Sequence, residues 1–190
     1  MKQRTSPYPV LPLILKRWSP RALSGETISD QDLMTLFEAA RWAPSSYNNQ
    51  PWRFIYAKRD TQAWDTLYNL LVDENKIWAK NAAVLIIMIS QEKTKEGYNI
   101  RTHSFCTGAA WQNLALQAFS MGLVAHGMEG FDYAKATKDL HIPEGYSLEA
   151  MCAIGKPGNV KDLPKKLQER EEPSDRQPIE SFVFEGTFSS

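Results

Sequence analysis

Arg17, Ser19 and Arg21 stand on alternate residues, two guanidiniums around one hydroxyl. A guanidinium and a hydroxyl spaced this way can hold a phosphate together, because hydrogen bonds from a cation to an anionic oxygen are shorter and stronger than neutral ones. The same stretch, Lys16-Arg17-Trp18-Ser19-Pro20-Arg21, equally suits a solvated basic turn after a helix. A second group lies between Ala43 and Trp52, where Ser45, Ser46, Asn48, Asn49 and Gln50 are enclosed by Pro44 and Pro51. The two prolines fix φ and restrict Ala43 and Gln50, which makes the segment a pinned loop that presents hydroxyls, amides and backbone N–H groups. Ser and Asn are also ordinary turn residues that bond their own backbone. A third group is Gly122, Gly127 and Gly130, three glycines in nine residues around His126, Met128 and Glu129. They allow a backbone to approach a ligand closely or take positive φ. The strand, turn and helix spacing of a dinucleotide or P-loop fingerprint is absent from them.

The elements that must position these groups follow from hydrophobic spacing. Val10, Leu11, Leu13, Ile14 and Leu15 predict a short helix within Tyr8 to Trp18, which delivers the basic segment. Ser29 and Asp32 have the spacing of a capping box, and Leu33, Leu36, Phe37 and Ala40 share one face, so Ser29 to Trp42 is a helix that delivers the pinned loop. Arg53 to Ala57 reads as a strand, and Thr61 to Leu71 as a helix through Trp64, Leu67, Tyr68 and Leu71. Ala82 to Ile89 is continuously apolar and β-branched, the profile of a strand buried on both faces. Ser104 to Met121 is a helix apolar nearly all round, with Gln112, Asn113 and Gln117 as the polar minority, and belongs inside a domain or a dimer. Asp132 to Leu140 is a short helix and Ala150 to Ile154 a further strand. From Gly155 the chain turns proline-rich and charged, an extended arm that regains strand character at Ser181-Phe182-Val183-Phe184, suited to docking on a neighbour's sheet.

A chain of 190 residues, 43% of them hydrophobic, can bury one sizeable core, so residues 1–190 are expected to form a single domain with 156–190 as its C-terminal arm. Lys and Arg (22) balance Asp and Glu (22), which leaves no global field to draw nucleic acid or an anionic membrane, and any anion site must be local. The N-terminus has no apolar core of a signal peptide and no apolar run approaches the roughly 20 residues of a bilayer span. Cys106 and Cys152 lack metal or redox spacing and are expected as buried free thiols, which fits a reducing cytoplasm. His103, His126 and His141 show no paired spacing, so no metal site is expected. There is no internal repeat, no Gly-x-Ser-x-Gly elbow, no His-Glu-x-x-His helix and no Cys-x-x-Cys pair, and hydrolase and metalloenzyme readings have no support.

Pro44, Ser45, Ser46, Asn48, Gln50, Pro51 and Trp52 fill every keyed position of a pattern that resembles the signature loop of the FMN-dependent nitroreductase family. The resemblance implies an α+β, nitroreductase-like fold with a mixed β-sheet flanked by helices, as an intertwined homodimer with the C-terminal arm exchanged. It implies FMN as cofactor, NAD(P)H as reductant, and ping-pong hydride transfer through flavin N5 to a small acceptor such as a nitroaromatic or quinone. By the same resemblance Arg17 and Ser19, with Trp18 between them, grip the phosphate and ribityl chain, and Arg21 places a cation by the flavin pyrimidine edge. Pro44, Ser45, Ser46, Asn48 and Gln50 line the cofactor, the Asn75 amide meets the ring, and Gly127, Met128, Glu129 and Gly130 border N5. Arg176, ahead of Pro178-Ile179-Glu180, contributes to the phosphate site, and Thr107 to Leu114 packs at the subunit interface. Departures from the pattern are Trp78 where some members carry lysine, Gly127 where proline is common, and Ser174 in the place of a second cation. No side-chain general acid is required, so Arg21 is the electrostatic contribution of the protein. A flavin-binding or flavin-scavenging protein with little turnover would use the same residues, and a structural dimer without cofactor is the more remote alternative.

Overall fold

Val84–Gln91 (β2) has seven consecutive buried residues because the sheet is covered on both faces. Its side chains alternate between two cores. Leu85, Ile87 and Ile89 join Trp64, Leu67, Leu70, Trp78 and Met151 on one face. Val84, Ile86 and Met88 join Leu33, Leu36, Leu114 and Ala118 on the other. The period of two thus becomes a three-layer sandwich of helices around one sheet. The computed structural model describes residues 4–188.

Three further strands complete the sheet: Trp52–Lys58 (β1), Val124–Met128 (β3) and Tyr146–Gly155 (β4), in the order β1-β2-β4-β3. All three pairings are antiparallel, which corrects the expected mixed sheet for the strands of one chain. Adjacent strands here run in opposite directions, so none of the pairings is the parallel type that a crossover would create. The architecture is nonetheless α+β.

Pro12–Lys16 (α1) starts with proline at its first position, where a missing N–H is harmless. Asp30–Arg41 (α2) is capped as its sequence predicts: the Asp32 N–H donates to Ser29 Oγ at 3.0 Å, and the Ser29 hydroxyl donates to the Asp32 carboxylate at 2.7 Å. Gln62–Tyr68 (α3) is shorter than the expected Thr61 to Leu71, and Asp73–Ala79 (α4) follows it as a separate helix. His103–Ser120 (α5) buries Cys106, Ala110, Leu114 and Ala118 on α2 and the sheet, yet leaves Phe105 80% exposed. Both cysteines are buried free thiols, and burial raises the proton affinity of Cys152. Tyr133–Asp139 (α6) is capped by Asp132, whose carboxylate accepts from the Lys135 N–H at 2.9 Å.

The arm departs from expectation in both halves. Its first half folds back: Leu163 is buried in the first core, Leu167 of Lys165–Gln168 (α7) packs against it, and the Glu171 side chain is fully covered. In its second half Ile179–Ser181 is a 3-10 turn and residues 182–184 pair with no strand among the described residues, where Ser181 to Phe184 was expected to be a strand. Gly122 to Asp132, expected as a glycine loop, contains strand β3.

Candidate functional site

The segment from Ser19 to Ser24 is held from several directions. Ser24 N–H donates to Lys156 O (3.0 Å) and Gly158 N–H to Ala22 O (2.8 Å). That close approach requires glycine at 158, where a Cβ would stand 2.4 Å from the Leu23 carbonyl carbon. From the arm, Glu171 Oε1 accepts the N–H groups of Arg21 (2.5 Å) and Ala22 (2.7 Å), while its Oε2 lies 3.8 Å from the Arg21 guanidinium and has no hydrogen-bond donor. Nothing in the acidic run from Glu169 to Glu172 singles this residue out in the sequence.

From the sheet, the His126 imidazole on β3 meets Pro20 O at 3.0 Å, so Nδ1 carries the proton and donates. The ring packs on Trp78 with centroids 4.5 Å apart. Burial pushes the pKa of His126 down to about 4, against the opposing effect of the Pro20 carbonyl. In the unfolded chain the imidazole takes up a proton below about 6.5. The folded state therefore loses stability as pH falls from that value towards 4, because only the unfolded state binds the proton in this window. His126→Phe is expected to keep the packing and flatten that part of the profile. Thermal midpoints of both proteins between pH 7 and 4.5 check this, and parallel profiles would refute it.

This frame brings Arg17, Trp18, Ser19, Arg21 and Arg176 to the wall of one cavity of about 520 Å³, with His126, Arg4, Arg170, Ser174, Glu169 and Glu172. Arg17 Nη1 donates to Ser19 Oγ at 3.2 Å, so the guanidinium and hydroxyl are set as one unit. Burial lowers the proton affinity of Arg17, and Arg4 and Arg176 beside it lower it further. Arg176 is folded onto its own turn through Ser174 Oγ (3.2 Å) and Asp175 O (3.0 Å). A cluster of mutually repelling cations, with Arg4, Arg17 and Arg21 partly buried and Arg176 exposed, is a donor set that fits an anion such as a phosphate monoester. A second cavity of about 590 Å³ shares Arg4, Arg17 and Arg176 and adds apolar residues including Tyr8, Ile14 and Phe182.

The pinned loop lies elsewhere. Ala43 and Trp52 anchor its ends in the core, and Tyr47, Asn48 and Gln50 adopt left-handed φ of 50°, 56° and 47°. Such values are uncommon outside glycine and concentrate where structure over-determines a loop. Ser45 Oγ accepts the Gln50 N–H at 3.1 Å, so this hydroxyl closes the turn, and Tyr47 is 97% exposed. Pro44, Ser45, Ser46, Asn48 and Gln50 form no part of the cation-lined wall.

Asn75 joins the third group. Its Nδ2 donates to Gly130 O at 3.0 Å and Val72 N–H to the same oxygen at 3.1 Å, which fixes the chain just beyond β3. A Cβ on Gly130 would lie 2.8 Å from that Nδ2. Gly127 is exposed on the edge strand over the Trp111 ring, Met128 is buried, and Glu129 faces solvent. Trp78, placed by the resemblance where a lysine can stand, is a core residue against His126. Among the described residues no group of three or more His, Cys, Asp or Glu side chains is placed to hold a metal, and no helix is long and apolar enough to cross a membrane.

An α+β domain with a cation-lined pocket beside an edge strand and an exposed, backbone-strained amide loop has counterparts among known proteins. A family model for the nitroreductases matches residues 14–77 and 68–156, and the chain belongs to the nitroreductase family. An oxidoreductase crystallised with FMN is 46% identical and superposes with a TM-score of 0.94 over 98% of this chain and 96% of that one. A Desulfovibrio desulfuricans protein assigned as a nitroreductase and solved in complex with FMN is 29% identical, with a TM-score of 0.74 over 97% and 100% of the two chains. In sequence, an Archaeoglobus fulgidus protein assigned as an NADH dehydrogenase/NAD(P)H nitroreductase is 29% identical over 158 residues, 80% of this chain and 88% of its own.

Proposed function

We propose that this protein is an FMN-dependent oxidoreductase that takes hydride from NAD(P)H and passes it, in ping-pong fashion, to a nitroaromatic, a quinone or a related small acceptor. The observation that carries the reading is the convergence of Arg17, Ser19, Arg21 and Arg176 on one cavity in a chain without net charge. FMN, when bound, supplies the two-electron chemistry, and the protein supplies position and electrostatics. Arg17, Ser19 and Arg176 are assigned to the phosphate end. Trp18 and Arg21 stand on the same wall, the Arg21 charge partly offset by Glu171. Asn75 holds the Gly130 carbonyl just beyond the edge strand, and Gly127, Met128, Glu129 and Gly130 along that edge are assigned to the ring edge. Pro44, Ser45, Ser46, Asn48 and Gln50 are assigned to a ring in the second site of a homodimer.

Support for the homodimer is the set of large apolar side chains that one chain leaves uncovered: Trp42 (71% exposed), Phe105, Leu11 on the N-cap of α1, and Phe182 and Phe188 on the arm. Aromatic side chains are enriched where a partner surface covers them. Two buried, unpaired thiols suit a reducing cytoplasm. The test begins with the absorbance of the purified protein, which is expected to show flavin released as FMN on denaturation. Arg17→Ala is then expected to weaken FMN binding by about 1.5 to 3 kcal/mol, the scale of a charge-assisted hydrogen bond. Unchanged affinity in a titration of the apoprotein would remove the phosphate assignment. NAD(P)H oxidation with and without menadione or a nitroaromatic separates turnover from flavin storage.

A further inference from the structure

Arg4 lies outside every group that the sequence singled out, yet it lines both cavities that meet at Arg17 and Arg176. Its Nη2 donates to the Arg17 carbonyl, which brings the N-terminal segment across the basic turn. We propose that Arg4 is a third guanidinium of the anion site and makes the pocket selective for a terminal phosphate dianion, so that the protein distinguishes a flavin bearing a phosphate monoester from one without it. The inference rests on the flavin reading above and deepens it.

The charges around the point of convergence carry the argument. Arg4, Arg17 and Arg176 are close enough that each of the first two has its proton affinity lowered by its cationic neighbours as well as by burial. A protein pays in stability to hold three cations together, and an anion between them removes that repulsion. Asp175 faces Arg4 and offsets part of its charge, and Glu169 and Glu172 with Arg170 occupy the same wall. Glu171 is turned away onto Arg21 and Ala22. A phosphate monoester carries close to two negative charges at neutral pH, and planar guanidiniums match its oxygens better than any other side chain. Arg17 and Arg176 bring two positive charges, offset in part by Glu169 and Glu172 on the same wall, and Arg4 supplies a third from the N-terminal segment that lines both cavities.

The experiment measures dissociation constants of FMN and riboflavin for the apoprotein, for Arg4→Ala, for Arg17→Ala and for the double variant, by quenching of flavin fluorescence. Arg4→Ala is expected to weaken FMN on the order of 10- to 100-fold, the range of a hydrogen bond to a charged group, and to leave riboflavin unchanged. It is expected to weaken FMN again in the Arg17→Ala background, because a direct contact is lost rather than a prop for Arg17. Equal weakening of both flavins, no weakening of either, or no further loss in the double variant would each overturn the proposal while FMN binding by the wild type stands. A wild-type protein that binds neither flavin overturns the functional reading and this inference together.

Discussion

Co-expression of an Arg17→Ala chain with a chain carrying Ser46→Ala and Asn48→Ala is expected to restore activity that neither variant has alone. The reason lies in the sheet. The loop from Ala43 to Trp52 enters β1, one edge of the sheet, while His126 beside the cation-lined cavity lies on β3, the other edge. His126 is level with Ala153, Leu85 and Ala57, five residues along β1 from Trp52. With strands about 4.8 Å apart and about 3.3 Å per residue, loop and cavity are separated by roughly 14 Å across the sheet and 16 Å along it, or about 20 Å in all. Two groups so far apart in one chain meet at a common ring most simply across a two-fold axis, where each surface is used twice.

Each homodimer then has both sites damaged, one half at a time. A mixed dimer has one site with both halves damaged and one with both intact. Purified through two different tags, and assayed at FMN levels that saturate the wild type but neither variant, mixed dimers are expected to show about half the wild-type rate. An active monomer by size exclusion, or mixed dimers without recovered activity, would refute the shared site.

What the sequence made legible was whatever local pattern decides. Ser29 and Asp32 cap α2 as spaced, and β2 is buried on both faces as its unbroken apolar run requires. Strand β3 is hidden in the sequence because Gly122, Gly127 and Gly130 give its stretch the composition of a loop. An edge strand with a single partner tolerates such a residue, and the ladder to β4 decides the matter. Helix α4 hid behind a single turn of burial at Trp78 and Ala79. The mixed sheet came from the resemblance and not from any strand pattern, and the pairings are all antiparallel. In the site, the spacing points to Arg17 and Ser19 and the resemblance adds Arg21 and Arg176, and all four line one cavity. Neither points to Glu171 or Arg4, since an acid in an acidic run and a lone N-terminal cation look solvated until a distant segment packs on them.

Replacing Glu171 with alanine is expected to be among the most damaging single changes outside the hydrophobic core. Its side chain is fully covered and reaches from the arm to residues 150 and 149 positions earlier, where one carboxylate oxygen satisfies two backbone N–H groups and the other faces the Arg21 guanidinium. Removal leaves those donors buried without a partner and Arg21 without its counter-ion. Breaking one side of a buried pair costs about 3 to 5 kcal/mol, and Arg21 is 27% exposed, so water recovers part of its charge and the lower end, about 3 kcal/mol, is expected. Glu171→Gln keeps its one oxygen for the two N–H groups and turns its amide NH2 toward Arg21, so the two backbone donors stay satisfied and its loss is expected to be clearly smaller. Urea unfolding of both variants against wild type checks the size and the order of the effects, and the Gln variant keeps the question open to measurement if the Ala variant fails to fold. Losses under about 0.5 kcal/mol in both, the ordinary range for a surface substitution, would mean that the arm does not hold the Arg21 segment in place.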